Sequence, residues 1–206
     1  MSGLFITFEG IDGVGKSTQA NLLQEYFEEL GHKVVRTLEP GGTPLGQEIR
    51  NLLLHRKGSV APRSEALLYA ADRAHHVATL IRPALAEGKV VISDRYFDSS
   101  VAYQGAGREL SLAEVRQISL WAVENLLPKL TVLLDLDAET ARGRRDNTGT
   151  EPDRLEREKT AFFEATRNAY LELAHNEPER FLVIDANQTV QQMQAQIRAR
   201  VNTILG

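Results

Sequence analysis

Gly10-Ile11-Asp12-Gly13-Val14-Gly15-Lys16-Ser17-Thr18 restricts this chain more than any other stretch, because it sets the spacing G-x-x-x-x-G-K-S/T between two segments of different periodicity. Ahead of it, residues 4–8 are an apolar run of strand length. Behind it, Leu22, Leu23, Tyr26, Phe27 and Leu30 recur at helical spacing, which predicts a helix with those residues inward. A buried strand, a glycine turn and a helix in that order make a loop whose N–H groups, together with the helix N-terminus, converge on an anion. Gly10, Gly13 and Gly15 permit the close backbone approach that such a loop needs. Lys16 is then placed to meet the terminal phosphates of a bound nucleotide, and the Ser17 hydroxyl to hold a magnesium ion that bridges them. A plain glycine-rich turn accounts for the glycines but not for strand and helix both falling in register.

At 206 residues the chain suits one domain, 1–206, with a large core. A net charge of −4 and a pI near 5.8 leave no basic footprint for nucleic acid or an anionic membrane, so phosphate affinity has to be local. The absence of cysteine excludes disulfides and thiolate metal sites and fits a reducing compartment. No stretch reaches membrane-spanning length. A soluble, cytoplasmic protein is expected.

Gly31 marks the end of the first helix, and residues 33–38 read as a second strand, closing a βαβ unit and predicting a parallel sheet. The breaker cluster Glu39-Pro40-Gly41-Gly42-Thr43-Pro44 falls at that strand's C-terminal end, where open α/β sheets bind ligands; a turn alone needs fewer breakers, which makes Glu39 a candidate. Residues 47–55 read as a short helix with Arg50 off its apolar stripe, and 64–87 as a longer one interrupted by Pro83. On the longer helix Tyr69 and Arg73 are four apart and share a face, an aromatic surface and a forked donor suited to a planar base with carbonyl acceptors. Spacing alone favours a half-buried Tyr beside a surface Arg. His75 and His76 are adjacent, face different ways and make a poor metal pair.

Val90-Val91-Ile92-Ser93-Asp94 reads as a third buried strand ending in an acid, the pattern of a Walker B strand, with Asp94 orienting magnesium through water and Arg95 clamping a phosphoryl group. The competing reading makes Asp94 a helix cap and Arg95 a surface charge. Ser100, Tyr103 and Gln104 share one face of the helical turn that follows. Ser111 and Glu114 have capping-box spacing for a helix running to Leu127, whose apolar residues spread round it widely enough for one face on the core and another on a second subunit. Residues 130–136 and 181–185 supply two more strands. Between them, residues 142–154 are charged and nearly free of bulky apolar side chains, and read as a lid that brings Arg142, Arg144, Arg145 or Arg154 to a transferring phosphoryl group while excluding water.

The loop at 8–18, Glu39-Pro40-Gly41-Gly42-Thr43, Tyr69 with Arg73, Asp94-Arg95-Tyr96, Ala102-Tyr103-Gln104-Gly105 and Asp153-Arg154 together resemble the bacterial thymidylate kinases over essentially the whole chain. That resemblance implies a three-layer α/β fold of the P-loop NTPase kind, a five-stranded parallel sheet flanked by helices with a short lid. It implies transfer of the ATP γ-phosphoryl to dTMP with Mg2+, giving dTDP on the route to dTTP, by a homodimer. Carried over by position, it gives Asp12 the sugar 3′-OH, Tyr69 a stacking role under thymine, Arg73 and Ser100 the base edge, Arg95 the phosphates, Tyr103 the 2′ face of deoxyribose and Arg50 the monophosphate. Glu39 and Gln104 join the substrate-binding set, Ser17 and Asp94 the metal site, and Lys16, Arg95, Arg145 and Arg154 the catalytic set. One class of the family carries an assisting arginine where this chain has Gly13, so here the work passes to the lid, with Arg145 expected first and Arg154 second. The chain departs from the commoner Arg-Glu-Pro-Gly-Gly-Thr at Leu38 and has extra residues between Arg145 and Asp153.

Two other classes fit less. Another nucleoside monophosphate or deoxynucleoside kinase would share the sheet but differ at Tyr69, Arg73 and Tyr103. A nucleotide-driven switch would be expected to show a guanine-reading Asn-Lys-x-Asp or the Leu-Ser-Gly-Gly-Gln signature of transporter ATPases, and the chain has neither.

Overall fold

A computed structural model describes residues 3–108, 110–147 and 153–206. The five strands are β1 (Leu4–Glu9), β2 (Val34–Leu38), β3 (Val90–Asp94), β4 (Leu130–Asp135) and β5 (Phe181–Asp185). They lie in the order β2-β3-β1-β4-β5, and each neighbouring pair runs parallel. The three central strands are covered on both faces, which is why their sequences are continuous apolar runs rather than alternating ones. Phe5 and Val91 join one apolar cluster while Ile6 and Ile92 join the other, the two faces of the pleat. The edge strand β5 leaves Val183 45% exposed. Thr7 and Thr131, buried on β1 and β4, answer each other's hydroxyls at 3.0 Å.

Helix α1 (Lys16–Glu29) buries Ala20, Leu23 and Phe27 against the sheet. Leu30, expected inward, is 50% exposed because it is the C-cap residue, and the chain turns away at Gly31, whose φ is 82°. Helix α2 (Pro44–Arg50) begins earlier than the apolar spacing indicates, since the Thr43 hydroxyl accepts from the Gly46 N–H at 3.0 Å and Pro44 occupies the first turn. It runs on as a π-helical turn over Asn51–His55. Helix α3 (Pro62–His76), a π turn (Val77–Ile81) and α4 (Arg82–Ala86) form the long helical stretch, with Pro83 in the first turn of its last piece rather than as a break. Helix α5 (Phe97–Ser100) leads into a third π turn (Val101–Gly107), which carries Tyr103 and Gln104. Helix α6 (Leu112–Ala122) is capped by Ser111 as expected but stops short of Leu127, because Glu124 and Asn125 take left-handed φ values of 49° and 56°. Helices α7 (Ala138–Asp146), α8 (Thr160–Asn176) and α9 (Val190–Leu205) complete the layers.

The C-terminal ends of β1, β2 and β3 meet at one edge, where the Glu39 N–H donates to Asp94 O and the Arg95 N–H to Phe8 O, both at 2.9 Å. Of the expected lid, Arg142, Arg144 and Arg145 lie on α7 and Arg154 precedes α8; residues 148–152 lie outside the described residues.

Candidate active site

The turn between β1 and α1 is as tight as its glycines require. Gly10 has φ 130°, and a Cβ there would lie 2.5 Å from the Leu134 carbonyl oxygen. Gly13 has φ 91°, and a Cβ there would lie 2.2 Å from Ala141 O on α7. Lys16 is buried, and its ammonium donates to the carbonyls of Gly10 and Ile11, each at 3.0 Å. The Ser17 hydroxyl donates to Asp94 Oδ2 at 2.9 Å, so Asp94 faces the loop and not the start of α5, whose N-cap is Tyr96. Lys16, Ser17, Thr18, Asp94, Arg144 and Arg145 line an open cleft over the loop.

Arg95 closes the inner end of that cleft. Its backbone has φ 70°, unusual for a residue with a Cβ, and its guanidinium points back over β1. Nη1 donates to Gly10 O at 2.9 Å, and Nη2 donates to Asp12 Oδ1 at 2.5 Å and to the Tyr103 hydroxyl at 3.1 Å. Burial pushes the Asp12 carboxyl up, but the charges of Arg95 and Lys16 outweigh it and hold the group well below the usual range. Burial pulls the Arg95 guanidinium down, and Asp12 more than restores it.

On the far side of Arg95 lies a second pocket, walled by Pro40, Leu54, Tyr69, Arg73, Tyr103 and Gln104. Arg73 is only 1% exposed, so it is not the surface charge that spacing favoured. Its Nε donates to Glu39 Oε2 at 2.6 Å, Nη1 to Ser100 Oγ at 3.1 Å and Nη2 to Tyr96 O at 3.2 Å. Glu39 in turn lies 2.9 Å from His76 Nδ1, whose Nε2 is 2.6 Å from Thr37 Oγ1. Gln104 donates to buried Glu65, and Arg50 to Pro40 O at 2.8 Å. Tyr69 is buried against the main core. Asp12, Glu39, Arg50 and Arg95 belong to the walls of both cavities.

The sequence pattern of the family described as "Thymidylate kinase" matches residues 8–197. The chain belongs to the thymidylate kinase family. A thymidylate kinase of Clavibacter sepedonicus is 62% identical over 205 residues, covering 100% of this chain and 97% of its own. One of Leifsonia xyli subsp. xyli is 63% identical over 200 residues, covering 97% and 95%. The crystal structure of thymidylate kinase from Ehrlichia chaffeensis superposes with a TM-score of 0.79 at 32% identity, covering 98% of this chain and 99% of that one.

Within this thymidylate kinase fold the four arginines expected to serve a lid stand in different places. Arg145 lies beside Gly13 at the open cleft over the loop, donating to Glu156 O at 3.1 Å, and Arg144 lines the same cleft and donates to Ala186 O at 2.8 Å. Arg142 is exposed, 3.7 Å from Asp146. Arg154 is turned the other way: its Nε donates to Leu53 O at 2.7 Å and its Nη2 pairs with Glu65, beneath Gln104.

Sequence reasoning gave no role to Glu9, Glu65, Asp72 and Tyr170, and weighed His76 only as half of a poor metal pair. The available signals were thin: an acid inside an apolar strand for Glu9, and helical spacing from Tyr69 and Arg73 for Glu65 and His76. Burial and then the nearby Asp98 push the Glu9 carboxyl up to about 7, and burial and then Glu39 push Asp72 up to about 6. Asp72 Oδ1 accepts from the Gly41 N–H at 3.2 Å, while Oδ2 is buried with no hydrogen-bond partner among the described residues. Both acids hold a proton more tightly folded than unfolded, so the stability they contribute is full at low pH and is lost as pH rises through those values. Asp72→Asn removes one such site. Thermal melts should show the wild type losing stability relative to this variant between about pH 4 and about pH 6; parallel curves would refute the assignment.

Proposed function

We propose that this chain transfers the γ-phosphoryl group of ATP to dTMP with magnesium, forming dTDP for dTTP synthesis in the cytoplasm. One observation carries the reading: the cleft over the loop and the second pocket meet at shared walls, Asp12, Glu39, Arg50 and Arg95, so a donor in one and an acceptor in the other would present phosphates to each other across Arg95. The acceptor is a phosphate monoester whose second pKa is about 6, already ionised at neutral pH, so no general base is needed. The bond between the γ-phosphorus and the β-bridging oxygen breaks, a bond to a dTMP phosphate oxygen forms, and ADP leaves. What remains for the protein is alignment, charge stabilisation and exclusion of water.

Lys16 meets the donor's terminal phosphates on leaving its loop carbonyls, and Arg95 and Arg50 face the acceptor phosphate. Ser17 and Asp94, a hydroxyl and a carboxylate in mutual contact at the start of α1, are the hard oxygen donors that Mg2+ takes while it keeps several waters, and they would hold it there. Bound magnesium neutralises phosphate charge. Tyr69 stacks on the base, and Arg73, already anchored by Glu39 and Ser100, turns guanidinium donors to its carbonyl edge. The family's homodimer is supported by Leu67, Ile118 and Trp121, which are 55%, 36% and 80% exposed beside one groove between α3 and α6.

ADP release with ATP, magnesium and each deoxynucleoside monophosphate in turn tests the whole reading. dTMP and dUMP should turn over and dCMP should be rejected more strongly, because a buried guanidinium facing an amino donor costs about 2–3 kcal/mol, at least as much as the ~1–3 kcal/mol a single methyl supplies. Equal rates for dCMP and dTMP would remove Arg73 from the base edge, and no stimulation by dTMP would remove the function.

Among the arginines, Arg145→Ala should lower kcat by about 10³-fold with little change in dTMP KM. Arg142→Ala should stay within about threefold of wild type, and Arg154→Ala, set beneath the nucleoside pocket, should act mainly on dTMP KM. Wild-type turnover in Arg145→Ala and Arg144→Ala alike would overturn the lid assignment. Sedimentation equilibrium should give twice the chain mass, falling to one chain in Trp121→Glu; a monomeric wild type would overturn the dimer.

A further inference from the structure

Glu9 ends β1 with its side chain fully buried, and its two oxygens have different tasks. Oε1 accepts from the Tyr96 N–H at 2.8 Å, gripping the backbone one residue beyond Arg95. Oε2 accepts from Ser99 Oγ at 2.6 Å and from the Tyr170 hydroxyl at 2.8 Å. Those same two hydroxyl oxygens accept from Arg95 Nη1, at 3.2 Å and 3.3 Å. The two hydroxyl oxygens also lie 2.7 Å apart, so their two protons are shared between Glu9 and each other, and the lone pairs left over face the guanidinium. One carboxylate thus holds Arg95 at both ends: at the left-handed backbone, a conformation a residue with a Cβ rarely adopts, and at the charged head.

We propose that Glu9 is a positioning residue for phosphoryl transfer, fixing the Arg95 guanidinium at the junction of the two clefts through the Ser99 and Tyr170 hydroxyls. The inference rests on the reading of Arg95 as a phosphate clamp. It does not need Glu9 to touch either substrate, and Glu9 lines neither cavity. As the carboxylate it becomes above about pH 7, the side chain can only accept, from the Tyr96 N–H and from the two hydroxyls. Glutamine has the same shape but must turn its amide N–H2 toward one of those sets. Facing the hydroxyls, it takes the lone pairs that Arg95 uses; facing Tyr96, it opposes a backbone donor.

The test uses the full chain with ATP, magnesium and dTMP, and compares Glu9→Gln, Ser99→Ala and Tyr170→Phe in the wild-type and Arg95→Lys backgrounds. Glu9→Gln should lower kcat about 10- to 100-fold, the scale of a misplaced reacting group, with ATP KM within about twofold of wild type and the thermal midpoint close to it. Ser99→Ala and Tyr170→Phe should each lower kcat by a smaller factor, and combining either with Glu9→Gln should add little. In the Arg95→Lys background, Glu9→Gln should cost less than about twofold further, because the group it positions is gone. Unchanged kcat in Glu9→Gln, or the same fold loss in both backgrounds, would overturn the proposal, since a merely structural role acts irrespective of Arg95. If Glu9→Gln does not fold, Ser99→Ala and Tyr170→Phe decide, and wild-type kcat in both overturns it. Full turnover in Arg95→Lys alone would instead bring down the clamp reading, and this inference with it.

Discussion

A guanidinium drawn out of bulk water stays charged but is costly unless acceptors answer its donors, and Arg95 sits where two cavities meet with both terminal nitrogens engaged. Its acceptors come from widely separated parts of the chain: Gly10 and Asp12 in the loop, Ser99 and Tyr103 in the α5 region, Tyr170 on α8. Nη2 has one acceptor for each of its two N–H groups, so removing Asp12 or Tyr103 leaves a donor unanswered, while Nη1 divides its two among three. The position of this single side chain therefore depends on the sheet, the loop and two helical layers being assembled together.

The same device is repeated along the sheet edge. Glu9 ends β1, Glu39 follows β2 and Asp94 ends β3, and each acid engages a functional group: Arg95 through hydroxyls, Arg73 directly, Ser17 directly. Behind Glu39 the chain adds His76 and Thr37, so Arg73 too is braced from a second rank. Parallel strands deliver their C-terminal ends to one side, and short acidic residues there can orient cations without occupying the space a ligand needs. This is how a chain with net charge −4 can concentrate positive groups at one edge of its sheet.

How much of this was legible in the sequence follows from the range of each interaction. The strands and α1 were legible because buried parallel strands are long apolar runs and because the loop motif is local. The start of α2 was missed because Thr43 and Pro44 define it, and an apolar spacing rule weighs neither. The end of α6 was missed because left-handed Glu124 and Asn125 have no glycine to announce them. Arg73 was visible as a candidate, but its burial was not, since Glu39 lies 34 positions away. Glu9 and Tyr170 are 161 positions apart, and no spacing rule connects them. The arginines of 142–154 looked alike as a charged run, and only the fold separates Arg145 at the cleft over the loop from Arg154 beside Glu65.

Gly13 and the Ala141 carbonyl are in such close apposition that the loop and α7 share one surface. An arginine transplanted to position 13 would strike the helix backbone before its side chain could extend toward a phosphate, unless α7 first moved away and took Arg144 and Arg145 with it. On the proposed function, moving the assisting cation from helix to loop is thus an exchange of two parts and not a single substitution. Intermediates carrying both arginines, or neither, would be poorly packed or poorly charged, which separates the two arrangements by a barrier that neither residue creates alone.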